Sequence, residues 1–462
     1  MTDPVIAASD GRAIPVLAVT TEAWPALLSD RPAALARLAE IGGFKARSGQ
    51  LLLVHDAEGE IAEVLFGLGA GGDATVFRGL SARLPAGDYA LSPAPEGLGA
   101  TDVALAFAMG GYRFDRYRAA REPGPRLVAG GADLAAVRSI AHACALARDM
   151  VNTPAGDMGP LQLETIAREI AEQHGAGITV STGDELLTDG YPSVHAVGRA
   201  AGPGRDPRII EISWSGAGPD APLVAIVGKG VTFDTGGLDI KPSAGMRNMK
   251  KDMGGAAHAL ALGRMVMDAK LPIRLAIIVP AVENAISGDA MRPGDVLNTR
   301  KGLTVEVGNT DAEGRLILSD ALTRAQELSP VLTIDLATLT GAARIALGPQ
   351  VIPFFTDDDA LADDLAAAAL AVRDPLWRMP LWAGYEEALD GDVADLKNDP
   401  DGWAQAGSVT AALFLKRFAP TTGSWVHFDI FAWNPKGRPG WPTGAEAQAI
   451  RALFKVLQDR FG

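Results

Sequence analysis

Lys229 in VGKG, Asp234 in FDTGG, Lys241 in IKP, Asp252 in KDMGG, and Asp311 and Glu313 in NTDAEGRL are the residues of this chain whose types could do chemistry together. They supply four carboxylates and two amines, and Arg315 stands two residues beyond the last of them. Carboxylates packed at close quarters repel one another unless they are protonated or bridged by cations. A pair of divalent ions removes that cost, because bridging carboxylates suit metals about 3.5–4 Å apart, as in two-metal hydrolases. Taken singly, each residue has a plainer explanation. Gly236-Gly237 and Gly254-Gly255 can be turns, Lys241 before a proline a solvated loop, Asp252 a helix N-cap, and an Asp-x-Glu turn a cap or an exposed loop. Their joint occurrence at one rim of a sheet is not explained that way.

The rim follows from the elements that must carry them. Asp311, Glu313 and Arg315 stand at i, i+2 and i+4, which in an extended segment throws all three side chains to one side. Leu316, Ile317, Asp320, Ala321 and Ala325 then keep a spacing near 3.6, so a helix is expected to begin as the acidic turn ends. From Arg208 onward, strands such as IIEISW, LVAIVGKG, RLAIIVPAV, VLTIDLATLTG and WVHFDIFAW alternate with helices such as GGAAHALALGRMVMDA. That rhythm predicts an α/β domain with a mostly parallel central sheet flanked by helices, whose carboxyl-end loops gather at one edge. Residues 1–130 read as a smaller N-terminal α/β domain, with PVIAAS, IPVLAV, QLLLVHD, AEVLFGL and DVALAFAM as strands and AALARLAEIG as a helix. A Pro/Gly-rich stretch at about 122–135 marks the boundary. Residues 131–150 are expected as a connecting helix, and 151–462 as the catalytic domain.

Composition and missing motifs exclude other chemistries. The single cysteine, Cys144, rules out an internal disulfide framework and a cysteine-based zinc site. His142 and His174 have no second ligand at helical spacing. There is no H-E-x-x-H and no G-x-S-x-G, and VGKGVT lacks the frame of a phosphate-binding loop. A net charge of −14 disfavours nucleic acid and anionic membranes. No apolar run is long enough to cross a bilayer and the start of the chain lacks a signal pattern, so a cytoplasmic protein without a membrane partner is expected.

The stretches VGKGVTFDTGGLDIKPSAGMRNMKKDMGGAA and VGNTDAEGRL, with NTDAEGRL unaltered as the family signature, resemble the leucyl (cytosol) aminopeptidases. The similarity runs from about Asp149 to Phe461 and includes TLTGA, GSVTAALFL and WVHFDI. The resemblance implies a metal-dependent aminopeptidase that hydrolyses the N-terminal peptide bond of peptides, with two divalent metals: zinc as first choice, manganese or magnesium as alternatives. Asp234 and Glu313 would bridge both metals, Lys229 and Asp252 complete one site, and Asp311 the other. Lys241 would stabilise an oxyanion, and Arg315 would hold a bicarbonate that relays the proton of a metal-bridging water. Met249, Thr338 and Gly341 match positions lining the side-chain pocket. A homohexamer of two trimers is implied as well. The stretch NPKGRPGWPTGAEAQ departs from the family loop near that pocket through Trp441 and Pro442, so the preferred N-terminal residue stays open. Two rivals remain beside this reading: a DNA-binding role on an aminopeptidase scaffold, against which the acidic charge argues, and a dinuclear phosphoesterase, which only the family match separates from it.

Overall fold

The computed structural model describes residues 3–119, 122–400 and 405–462. The chain divides into two compact units, Met1–Ala145 with Pro435–Gly444, and Leu146–Asn434 with Ala445–Gly462. The helix expected over 131–150 spans Leu134–Asn152, and the second unit begins inside it. Residues 435–444, expected within the catalytic domain, group with the first unit instead. There the guanidinium groups of Arg78 and Arg438 lie 4.2 and 4.3 Å from the centre of the Trp441 ring. These cation–π contacts, with Arg78 Nε donating to the Gly440 carbonyl at 3.0 Å, account for the segment packing with the first unit.

The first unit is built on β1 (Val5–Ile6), β2 (Ile14–Thr20), β3 (Leu51–His55), β4 (Ile61–Gly69), β5 (Gly87–Leu91) and β6 (Pro125–Val128), in the order β1-β6-β5-β2-β4-β3. All neighbours are parallel except β3 with β4. DVALAFAM, expected as a strand, lies in the helix Ala100–Gly110. A continuous apolar run fits a buried helix as well as a buried strand, and Val103, Ala104, Ala106, Phe107, Ala108 and Met109 are all buried. The strands β5 and β6 were not expected. The pairing between them includes an ion pair from Arg126 to Asp88 at 2.7 Å, and such charged residues hide short strands from a hydrophobic pattern.

In the second unit the strands are β7 (Gly177–Thr182), β8 (Arg208–Ser215), β9 (Leu223–Gly228), β10 (Gly230–Asp234), β11 (Arg274–Asn284), β12 (Val296–Asn298), β13 (Thr304–Glu306), β14 (Leu332–Ala337), β15 (Ile352–Phe355), β16 (Leu376–Arg378), β17 (Leu396–Lys397) and β18 (Ser424–Asp429). Nine of them form one sheet in the order β16-β15-β18-β14-β9-β11-β8-β7, with β10 pairing on β11. Its centre, β18-β14-β9-β11, is parallel. The strands β7 and β8 add an antiparallel edge. Every residue of β9 and β14 is buried, as expected for central strands covered on both faces. One face carries Ala225 and Val227 against Leu316 and Ile317 of the helix Glu313–Glu327. On the other side the helix Gly254–Asp268 closes on the sheet, with Gly263 against Ile277. Polar contacts fix the neighbouring pair: His427 of β18 shares a 2.5 Å hydrogen bond with Asp335 of β14, and Trp425 Nε1 donates to the same carboxylate at 2.7 Å. Among the described residues no helix is long and apolar enough to cross a membrane.

One close approach sets where the helix Gly254–Asp268 begins. A Cβ on Gly255 would stand 2.1 Å from the Leu336 carbonyl oxygen and 2.7 Å from the Lys229 nitrogen, both backbone atoms that cannot yield. Gly255→Ala is therefore expected to cost about 2–3 kcal/mol by overpacking, seen as a thermal midpoint lower by roughly 3–5 °C. Gly341→Ala, where nothing lies within 4 Å of the added Cβ, should leave the midpoint in place. Equal midpoints for the two variants would refute this account of the helix start.

Candidate metal centre

The carboxyl ends of the central strands bring the expected residues together. Lys229 follows β9, and Asp234 ends β10. Asp252 lies in the short 3-10 turn Met249–Met253; it is not an N-cap, since Met253 holds that position for the helix Gly254–Asp268. Lys229 Nζ stands 2.7 Å from Asp252 Oδ2 and 2.9 Å from Glu313 Oε1. Lys241 Nζ stands 2.8 Å from Asp234 Oδ2 and also contacts Asp311 Oδ1. Asp234, Asp252 and Glu313 each offer an oxygen, all within 4.8 Å of one another.

The acidic turn differs from the extended segment expected. Glu313 is the first residue of the helix Glu313–Glu327, so Arg315 already belongs to its first turn. Two helical residues apart, their side chains leave the axis about 200° from each other. Glu313 accordingly meets Lys229, while Arg315 donates from NH1 to the Asn398 carbonyl at 2.5 Å. A helix N-terminus also favours a carboxylate, through the partial positive charge of its unpaired N–H groups.

Several residues that hold the site were not expected from the sequence. Asn284, ending β11, donates from Nδ2 to Asp234 Oδ1 at 2.8 Å and to the Thr310 carbonyl at 3.1 Å. Gly236 N also donates to Asp234 Oδ1, at 2.9 Å, from a backbone at φ +88° that suits glycine. Asp239 accepts from Thr310 N at 2.8 Å. Asn398 accepts from Gly308 N and donates to the Asn309 carbonyl, at 2.8 and 2.7 Å. Apart from the local Gly236 turn, these contacts join residues 26 to 90 positions apart, so no local spacing signals them.

The buried charges set the electrostatics. Burial opposes the charged form of Lys229, but Asp252, Glu313 and Asp234 outweigh it and hold the ammonium well above the usual lysine range. Lys241 is also raised: burial works against it, and Asp234 and Asp311 prevail. Burial and the Asp234 charge push Asp311 up to about 6 and Glu313 well above the usual carboxylate range. Burial would raise Asp252 too, yet Lys229 holds it low. Asp252 Oδ2, Asp311 Oδ1 and both Glu313 oxygens are buried, and none accepts a well-directed hydrogen bond, although lysine ammonium groups lie at ion-pair distance. Inward-facing carboxylate oxygens left in this way fit divalent cations.

The remaining expected residues lie around this cluster. Thr338, just after β14, accepts at its carbonyl from Lys229 Nζ at 3.0 Å and donates from Oγ1 to the Asp252 carbonyl at 2.9 Å. Met249 is half-buried at the start of the turn that carries Asp252. Gly341 is exposed and begins the helix Gly341–Leu347. Arg315 is buried, and its Nε has no hydrogen-bond partner among the described residues.

Known proteins with this arrangement decide what it is. Residues 145–454 match the catalytic domain of the cytosol aminopeptidase family, and residues 14–129 match the N-terminal domain of the M17 aminopeptidases. The chain belongs to the cytosol aminopeptidase family. A protein of Syntrophotalea carbinolica named "Probable cytosol aminopeptidase" is 39% identical over 459 residues, covering 92% of this chain and 91% of that one. The crystal structure of cytosol aminopeptidase from Coxiella burnetii superposes with a TM-score of 0.93 at 42% identity, covering 100% of both chains. The bottromycin maturation enzyme BotP in complex with Mn has a TM-score of 0.86 at 34% identity, covering 97% of this chain and 99% of that one. The protein is thus a metal-dependent aminopeptidase of the leucyl aminopeptidase type, and the two-metal character of that type fits the orphaned carboxylate oxygens.

In this aminopeptidase Gly314 is as necessary as the charged residues, for a Cβ there would meet Lys229 Cε at 2.6 Å and Nζ at 2.7 Å. Lys229 is 3% exposed and has little room to move aside. Gly314→Ala is expected to weaken binding of a divalent metal by about tenfold or more, by analogy with other residues that support metal ligands. Competition against a chromogenic chelator measures it, and an unchanged dissociation constant would contradict this role.

Proposed function

We propose that the enzyme releases N-terminal residues from peptides with a free α-amine, at a centre of two divalent ions. Asp234 and Glu313 would be shared by the two ions, Lys229 and Asp252 would help hold one of them, and Asp311 the other. The observation that carries this reading is the meeting of four carboxylates, three of which, Asp252, Asp311 and Glu313, keep buried oxygens that accept no well-directed hydrogen bond. When bound, the metals lower the pKa of a shared water, polarise the scissile carbonyl and anchor the substrate's α-amine. Zinc suits the site with a lysine nitrogen, and manganese or magnesium the oxygen-rich one; the manganese bound by BotP supports the second choice.

The chain's own groups divide the remaining work. Lys229, whose ammonium pairs with Asp252 and Glu313, would act as a ligand only in its neutral form. Lys241, paired with Asp234 and Asp311, would stay charged and donate to the carbonyl oxygen as negative charge develops there. Arg315, whose buried Nε has no hydrogen-bond partner among the described residues, would hold a bicarbonate, which would supply a proton acceptor there. Met249, Thr338 and Gly341 line the pocket for the N-terminal side chain. The relatives' name supports a cytoplasmic location, and family resemblance a homohexamer.

Incubation with a chelator should abolish hydrolysis of aminoacyl anilides, and zinc or manganese should restore it; turnover that resists the chelator would sink the proposal. Separate roles predict separate losses. Asp311→Ala should lower bound metal together with rate, whereas Lys241→Ala should lower kcat by about 10²–10³-fold with metal retained. Equal metal loss in both would show the roles to be misassigned.

A further inference from the structure

We infer that Lys251 and Arg344, with the Phe431 ring they share, receive the acidic side chain of substrates whose N-terminal residue is glutamate or aspartate. The inference rests on the aminopeptidase reading above and names a substrate class for it. Lys251 is 7% exposed, and its Nζ lies 4.6 Å from the centre of the Phe431 ring. The Arg344 guanidinium, on an exposed residue of the helix Gly341–Leu347, lies 5.4 Å from the same centre. Two cations thus meet on one ring.

No carboxylate balances the buried one. Among the described residues none lies at ion-pair distance from Lys251 Nζ, and the nearby acids are already engaged. Asp252 pairs with Lys229 at 2.7 Å. Asp429 accepts from the backbone N–H groups of Leu339 and Thr340 and from the hydroxyls of Thr340 and Ser408. The neighbouring Lys250 has its own partner, donating to the Asn152 carbonyl at 2.5 Å. The Lys251 ammonium is buried against the Phe431 ring, with the Asp252 and Asp429 charges acting on it from beyond ion-pair distance; the ring restores part of its lost hydration, and a carboxylate at contact distance would restore more. Lys251 offers such a carboxylate a charged donor, and Arg344 offers a planar fork that can bind both oxygens.

The position suits an N-terminal side chain. Lys251 lies in the turn that carries Met249, and the Thr338 hydroxyl donates to the carbonyl of Asp252, the next residue. Gly341 begins the helix bearing Arg344. Arg344 and Phe431 line a pocket with Thr340, Ala343, Ile430 and Asp429 at the carboxyl end of β18, beside β14, which leads into Thr338; Lys251 meets it only through the Phe431 ring, and the Asp429 oxygens there are already taken by Leu339, Thr340 and Ser408. The turn and the helix that bear the two cations thus flank the residues assigned above to the N-terminal side chain.

The test uses the metal-loaded full-length enzyme with the 4-nitroanilides of glutamate, glutamine and alanine. Glutamine differs from glutamate in charge and hardly in shape, so kcat/KM for glutamate over glutamine should be about tenfold or more, and Lys251→Met and Arg344→Gln should each erase most of that ratio. Free L-glutamate should raise the thermal midpoint of the parent protein more than L-glutamine does, and the difference should vanish in both variants. Arg344 is exposed, so its variant remains informative if Lys251→Met fails to fold. A ratio near one in the parent enzyme, or one that neither variant changes, overturns the inference. So does a loss confined to dipeptides with a free C-terminal carboxylate and absent from their amides, which would assign the cations to the other end of the substrate. Failure to hydrolyse any anilide would instead count against the aminopeptidase reading, while alanine turnover without a glutamate preference counts against this inference alone.

Discussion

Mutual repulsion among four carboxylates is the constraint on which the rest of the second unit depends. Asp234, Asp252, Asp311 and Glu313 are drawn to one rim, three of them almost fully buried, with two lysines as the counter-charges the chain itself provides. Such a cluster is expensive for a fold, since isolated buried charges neutralise or are compensated. Burial first, and then the Asp234 charge, push Asp311 and Glu313 above the usual carboxylate range, as such crowding requires. A protein that keeps such an arrangement gains from it only when cations enter, so the centre reads as a binding site stored in the fold.

Backbone geometry makes the crowding possible. Gly255 lets a helix start against the Leu336 carbonyl, Gly314 leaves room for the Lys229 side chain, and Gly236 turns the backbone so that its N–H reaches Asp234. The parallel strands β9 and β14 place Lys229 and Thr338 side by side, because both side chains follow the carboxyl ends of adjacent strands. Asn284 then ties Asp234 to the Thr310 turn, which joins the two halves of the cluster. Chemistry at this rim is thus a consequence of strand direction and a few close approaches, with loops supplying the ligands.

Much of this was legible in residue types. The motifs named the ligand candidates and the resemblance named the family, while the alternation of apolar strands and helices gave the parallel centre of the sheet. The failures have physical causes. DVALAFAM is apolar on all sides, so its period does not separate helix from strand. The i, i+2, i+4 spacing of Asp311, Glu313 and Arg315 looked extended, whereas the helix begins at Glu313 and sends Arg315 another way. Asn284, Asp239 and Asn398 act through partners far along the chain and carry no local signature. Lys251 was hidden inside KKDM, where a charge run reads as a solvated face, and only the fold shows it buried against Phe431.

The central claim is that this cluster is neutralised by two cations. Metal content per chain, measured by elemental analysis after equilibrium dialysis against rising zinc or manganese, tests it most directly. The account predicts saturation at two equivalents, falling to at most one in Asp311→Ala. Saturation at a single equivalent with full activity would contradict it.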